Sequence, residues 1–225
     1  MTLSVVLPVL NEAQALPDVL ATLAHQALPG VEVVVADGGS TDGTPELAAR
    51  HGARVVTAPR GRARQMNAGA AAAQGEHLLF LHADTQVPAE ALATAQRALH
   101  AGGPHAWGRF DVHIAGHHPM LRVIAWFMNR RSRLTGIATG DQALFMTRAA
   151  FDAVGGFPDQ PLMEDIEISA RLKRLAPPHC LHLRVSTSGR RWEQRGLWRT
   201  MALMWRLRLA YWLGASPERL ARSYR

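Results

Sequence analysis

The chain has 225 residues, 48% of them hydrophobic and 19% charged, which is enough to bury a substantial core and excludes disorder throughout. Its single cysteine, Cys180, excludes a disulfide framework or a multi-cysteine zinc site within one chain and is compatible with a reducing, cytoplasmic compartment. The net charge of +7 favours polyanionic, phosphorylated or membrane-surface partners; no run reaches the length of a membrane span, and residues 1–10 read as a strand and not as a signal segment.

In chain order, Ser4–Leu10 is an apolar strand that ends at Asn11-Glu12, and Leu16, Val19, Leu20 and Leu23 then recur at helical spacing up to Pro29-Gly30. Val31–Ala36 is a second strand, ending in a carboxylate, Asp37. The polar turn Asp37-Gly38-Gly39-Ser40-Thr41-Asp42-Gly43-Thr44 follows, and Pro45 suits the first turn of a helix to about His51. Val55-Val56 is a third strand, Ala58–Arg64 a basic loop, and Gln65–Gln74 an alanine-rich helix stopped by Gly75. Leu78–Leu81, four apolar residues in a row, reads as a strand buried on both faces, after which the chain reaches His82-Ala83-Asp84-Thr85. Asp84 should stand at the carboxyl edge of the sheet, where ligands of open α/β sheets bind; it could equally cap the helix predicted over Pro88–His100. Strands alternating with helices predict a parallel sheet with helices on its faces.

Beyond Gly102-Gly103-Pro104 the pattern is less regular. Gly108–Ile114 alternates as a half-buried strand, Met120–Asn129 is helical, Ala143–Met146 is a strand and Arg148–Val154 a short helix. After the turn Gly155-Gly156-Phe157-Pro158, Glu164-Asp165 opens a helix through Leu175, Leu181–Val185 is a late strand, and Gly196–Leu213 is an amphipathic helix rich in tryptophan and arginine. That last composition suits a membrane interface, and also packing on the domain core or on a second subunit.

The stretches Leu7-Pro8-Val9-Leu10-Asn11-Glu12, Asp37–Thr44, His82–Thr85, Gly155-Gly156-Phe157 and Glu164-Asp165 resemble, in their order, the motifs of the family 2 glycosyltransferases with the GT-A fold. Arg64-Gln65-Met66-Asn67, His82–Thr85 and Arg190-Arg191-Trp192 narrow the resemblance to a small bacterial subgroup of the arsenosugar-biosynthesis type. The resemblance implies an α/β fold of the GT-A, Rossmann-like kind: a mixed, mainly parallel sheet flanked by helices, with a C-terminal amphipathic helix. One domain is expected, with a nucleotide-binding half over 1–103, an acceptor and catalytic half over 104–195 and a helical tail over 196–225.

The implied activity is an inverting, metal-dependent transfer of a sugar from a nucleotide-diphosphate donor to an acceptor hydroxyl. Pro8, Asn11, Glu12, Asp37 and Gly39 would meet the base and ribose, because a strand-end carboxylate accepts hydrogen bonds and glycine lets backbone approach closely. Arg64, Asn67, Arg190, Arg191 and Trp192 fall on the subgroup signatures and would face the diphosphate, which guanidinium groups can grip. Asp84 would hold Mg²⁺ or Mn²⁺, hard cations that need few protein oxygens when phosphate and water complete the shell. The family pattern has two aspartates flanking one residue; here the flanked residue is Ala83 and the first position is His82, which could contact ribose, phosphate or metal and could equally be a core histidine. Asp165 is the candidate base on the acceptor side with Glu164 beside it, and Asp141 would line the acceptor or the donor sugar.

The implied partners are a nucleotide-sugar donor, a hydroxyl acceptor that is either a small molecule or lipid-linked, and a membrane surface met through the C-terminal helix, which would put the protein in the cytoplasm or at the inner face of the membrane. Two other classes stay open. A nucleotidyltransferase of similar fold would need a glycine-rich amino-terminal loop with a basic residue, which Pro8–Glu12 lacks, and a nucleic-acid-binding module is suggested by charge alone, without aromatics interleaved in the early basic loop.

Overall fold

The computed structural model describes residues 2–26 and 28–224. Strands β1 (Leu3–Val9), β2 (Val31–Asp37), β3 (Arg54–Thr57) and β4 (His77–Phe80) pair in parallel in the order β3-β2-β1-β4. Their connections are helices α1 (Leu16–His25), α2 (Thr44–Arg50) and α3 (Arg62–Ala72). All of β4 and most of β1 are buried, as near-continuous apolar runs covered on both faces must be. The register Val9↔Asp37 sets the ends of β1 and β2 side by side, so the turns after them rise from one edge of the sheet.

Past β4 the sheet changes direction. Strands β5 (Thr85–Gln86), β6 (Trp107–Ala115), β7 (Phe145–Thr147) and β8 (His179–Ser188) complete it in the order β3-β2-β1-β4-β7-β6-β8-β5. Strand β7 runs antiparallel to β4 and β6, β6 parallel to β8, and β8 antiparallel to β5. Helices α4 (Ala91–Gly102), α5 (Met120–Thr135), α6 (Arg148–Ala153), α7 (Glu164–Leu175), α8 (Arg190–Arg195), α9 (Leu197–Trp212) and α10 (Pro217–Tyr224) flank it. This is the mixed, mainly parallel, helix-flanked sheet expected. Successive residues of β1 feed opposite cores: Val5, Leu7 and Val9 pack with α1 and α4, and Val6 with α3, Phe80, Phe151 and Phe157.

Several boundaries differ from the sequence reading. The basic stretch is mostly helix: α3 begins at Arg62, because Ala63, Met66 and Ala70 form a buried stripe that extends the helix past its basic residues. Gly69 lies in that stripe and lets α3 close on β1, since a Cβ there would collide with Val6. Asp84 does not cap a helix. Thr85-Gln86 pairs with β8, and the next helix starts only at Ala91 after Glu90.

Strand β6 is not half-buried: Trp107–Val112 is buried throughout, including Arg109 and Asp111. The charges are tolerated because Asp111 pairs with two arginines. Arg109 and Arg133 donate to the two oxygens of Asp111, the latter at 2.7 Å, and Arg109 also donates to the carbonyl of Asn129. Strand β8 is ten residues long where five were expected, its signal masked by exposed His182 and Arg184. Helix α8 was not expected, and α10 is a second helix beyond the one read over Gly196–Leu213.

Candidate active site

The turns after β1 and β2 are joined side chain to backbone. The Asn11 N–H donates to Ser40 Oγ at 2.8 Å and the Thr41 N–H to Asn11 Oδ1 at 2.9 Å; the Glu12 N–H donates to Thr44 Oγ1 at 2.9 Å and the Ala13 N–H to Asp42 Oδ2 at 3.1 Å. Asn11 holds φ +56 to do this, a conformation asparagine tolerates better than most residues. Asp37 is buried and accepts from the Gly39 N–H at 2.9 Å, from the Ser40 N–H at 3.0 Å and, on its other oxygen, from the Ser40 hydroxyl, which fixes the carboxylate at the sheet edge. Beneath the turns the buried Gln65 amide donates to the carbonyls of Val9 (2.6 Å) and Ala36 (3.0 Å), tying the two strand ends to α3. Pro8 lies within β1 opposite Ala36, and Gly39 is exposed at the turn.

A second group gathers around α7. Arg62, Met66, Phe80, His82, Gly140, Leu144, Phe157, Glu164 and Asp165 line one small pocket. Asp165 accepts from the Gly140 N–H at 2.8 Å and from the Ile166 N–H at 2.8 Å. Burial first, and then the adjacent Glu164 carboxylate, raise its pKa from 3.8 to about 6, against the two N–H donors and Arg62. Arg62 Nη1 lies 3.7 Å from Glu164 Oε1. Desolvation opposes the Arg62 charge, but Glu164, Asp141 and Asp165 outweigh it and raise its pKa above the ordinary value. His82 Nδ1 lies 3.5 Å from Asp141 Oδ1. The chain enters α7 through Met163 at φ +68 and leaves the Gly140–Gln142 turn through Ala143 at φ +47, so two strained non-glycine residues border this pocket.

Asp84 stands exposed at the edge next to both groups. Its charge is the second cause, after burial, that raises the pKa of Glu12, while Arg190 and His82 pull the other way. Glu12, His82, Asp84 and Arg190 therefore share one electrostatic neighbourhood although they come from distant parts of the chain. Among the described residues no group of three or more His, Cys, Asp or Glu is arranged as a metal cage. An exposed carboxylate with a second one nearby fits a hard cation whose shell is completed by phosphate and water.

Other residues from the sequence reading stand apart. Asn67 donates to the Phe157 carbonyl at 2.8 Å and accepts from the Phe157 N–H at 2.9 Å, so both ends of its amide hold the Gly155-Gly156-Phe157 turn. Arg64 pairs at the surface with Asp159, at 2.7 Å. Ala83 packs in the core, and Trp192 packs with Val112, Ile114 and Leu121. The Arg191 side chain lies outside the described residues. Gln65 and Gly140 were missed, although Gln65 lies inside the Arg64–Asn67 stretch, and Arg62 was read only as part of a basic loop suited to phosphate. Arg131, also missed, has Nε and Nη2 buried without a hydrogen-bond partner among the described residues; burial lowers its pKa, and Asp165 opposes that.

Comparison with known proteins accords with this arrangement. The model of the family "Glycosyl transferase family 2" matches residues 4–153. The uncharacterized glycosyltransferase Rv0539 of Mycobacterium tuberculosis H37Rv is 37% identical over 137 residues, which cover 58% of this chain and 61% of that protein. Among solved structures, TarS 1-349 of S. aureus matches with a TM-score of 0.67 at 20% identity, over 84% of this chain and 61% of that one. The mannosyltransferase PcManGT of Pyrobaculum calidifontis, solved in complex with GDP-Man and Mn²⁺, matches with a TM-score of 0.66 at 24% identity, over 92% and 60%. The matches thus span about three fifths of the length of each of these three proteins. The solved structures share the GT-A sheet described above, and the family match runs from β1 to the end of α6: the chain belongs to glycosyl transferase family 2.

Proposed function

We propose that this protein is an inverting, metal-dependent glycosyltransferase that moves a sugar from a nucleotide-diphosphate donor to an acceptor hydroxyl, either a small molecule or lipid-linked. The observation that carries the reading is the Asp165 carboxylate, held by two backbone N–H groups at the pocket shared with His82, Glu164 and Arg62, with its pKa raised to about 6. A base with that pKa is ionised at neutral pH yet basic enough to take the acceptor proton as the hydroxyl attacks the anomeric carbon. Attack from the face opposite the departing diphosphate inverts the anomeric centre. Glu164, paired with Arg62, orients the start of α7 and keeps its neighbour's proton affinity high.

On the donor side, the Asp37 carboxylate at the sheet edge suits the directional groups of base and ribose, and exposed Arg190 suits the diphosphate charge. Asp84 is the residue that would hold Mg²⁺ or Mn²⁺, and such an ion supplies Lewis acidity to the departing diphosphate when bound. His82, paired with Asp141 beside Gly140, borders the space between donor and base. Support comes from the family match and from PcManGT, solved in complex with GDP-Man and Mn²⁺, and a cytoplasmic setting would give access to nucleotide sugars.

Calorimetry with UDP and GDP, each with and without Mn²⁺, tests the donor half. Binding of at least one that strengthens with Mn²⁺ is expected; binding of neither sinks the reading. The anomeric configuration of the product, read by NMR from the α-linked donor that is turned over, tests inversion.

A further inference from the structure

Two helices turn aromatic side chains to solvent. On α9, Trp198, Trp205 and Trp212 recur every seven residues and are 64%, 72% and 81% exposed, with Leu209 and Leu213 exposed beside them. On α5, Trp126 and Phe127 are each 57% exposed and meet edge to face at 4.9 Å. The inner sides of the two helices share one cluster, in which Leu121, Ile124 and Ala125 of α5 pack with Leu197 and Met201 of α9. The exposed aromatics therefore belong to neighbouring helices. Arg122 and Arg130 of α5 and Arg199 and Arg206 of α9 are exposed among them, and neither helix contains an Asp or a Glu.

We propose that this face docks the protein on an anionic lipid surface. Exposed aromatics gathered on adjacent helices mark a binding surface, whereas scattered ones would need no explanation. The residue types select lipid: an indole lays its apolar body at the acyl boundary and keeps its N–H among the headgroups, while flanking arginines meet lipid phosphates. Charge argues against a second copy. A two-fold contact through this face would set the same arginines against one another with no carboxylate on either helix to pair them. Among the described residues no helix is long and apolar enough to cross a membrane, so the contact is peripheral. The other side of α9 packs through Leu203, Leu207 and Tyr211 on Met163 and Ile166, which braces the docking face against the helix that begins with Glu164-Asp165. The proposal does not depend on the glycosyltransferase reading.

Vesicle co-sedimentation without nucleotide tests it, using phosphatidylcholine alone or mixed with phosphatidylglycerol, at low and high salt. The wild-type chain should bind the mixed vesicles, shift its tryptophan emission to the blue, and bind phosphatidylcholine weakly. Arg199→Gln with Arg206→Gln should weaken binding roughly fivefold for each arginine removed and flatten the salt dependence. Trp126→Ser, Trp205→Ser and Trp212→Ser together should remove the blue shift while circular dichroism stays native. A folded wild-type chain that ignores phosphatidylglycerol vesicles overturns the proposal. So does a wild-type dimer, seen by light scattering, that the tryptophan variant turns into monomer, since the face would then belong to a second copy.

Discussion

The Gly140 N–H donates to Asp165 Oδ2 at 2.8 Å, and a Cβ on Gly140 would stand 2.6 Å from the His82 ring. The segment after β4 and the start of α7 thus meet across one residue that has no side chain. The candidate base, its hydrogen-bond donor and the histidine of the strand-edge motif are set by this single contact.

Gly140→Ala should therefore push the His82 ring away from Asp141 without unfolding the chain, because the ring is the far end of a side chain that can turn. A stability loss of about 1 kcal/mol in thermal melts, with a larger loss of turnover, is expected. Turnover equal to wild type would mean that the position of His82 does not matter to the reaction.

Asp165→Asn should separate stability from activity. The native state binds the Asp165 proton more tightly than the unfolded chain, so stability from this group is present below about pH 4, is lost as pH rises to about 6, and stays lost above. The amide removes that cost, and the variant should melt higher than wild type at pH 7.5, by an amount of order 2 kcal/mol, with little difference at pH 4. Its kcat should fall by roughly 10²–10⁴-fold, and wild-type turnover should rise through about pH 6. A lower melting point at pH 7.5 would mean that the bonds from Gly140 and Ile166 outweigh the burial of the charge.

Asn67→Ala tests whether this residue meets the donor or holds the fold. Loss of both bonds to Phe157 should cost about 2–3 kcal/mol and loosen the turn that packs Phe157 edge-on against Phe80, 4.8 Å away. Nucleoside diphosphate affinity by calorimetry should stay near wild type. A tenfold weaker affinity with an unchanged melting point would return Asn67 to the donor site.

Asp84→Ala should leave the melting temperature almost unchanged, since the side chain is exposed and the Thr85 hydroxyl, at 3.4 Å, donates to it only weakly. The gain in nucleoside diphosphate affinity on adding Mn²⁺ should disappear. An undiminished Mn²⁺ effect would point to another ligand, with Glu12 the next to test.

Much of this was legible in the sequence because it rests on local signals. Apolar runs that stop at Asn11, Asp37 and His82 gave the parallel half of the sheet, its edge and the candidate donor side, and Glu164-Asp165 announced the start of α7. Boundaries slipped where charge hid periodicity. Arg109 and Asp111 look like the wet side of a strand until Arg133, on a helix, is brought across to pair with Asp111.

What the residue order determined by itself was which strands form and which polar residues end them, since backbone geometry and side-chain alternation act over a few positions. Which of those polar residues face a common site was decided only by the tertiary structure. Asn67 and Phe157 are 90 residues apart and Arg64 and Asp159 are 95 apart, so nothing local could reveal that both signature residues are already engaged. The pKa of Asp165 has the same origin: burial and Glu164 raise it, and Gly140 and Arg62, from two other parts of the chain, hold it in check, an environment that exists only once α3, α7 and the Gly140 turn have packed together.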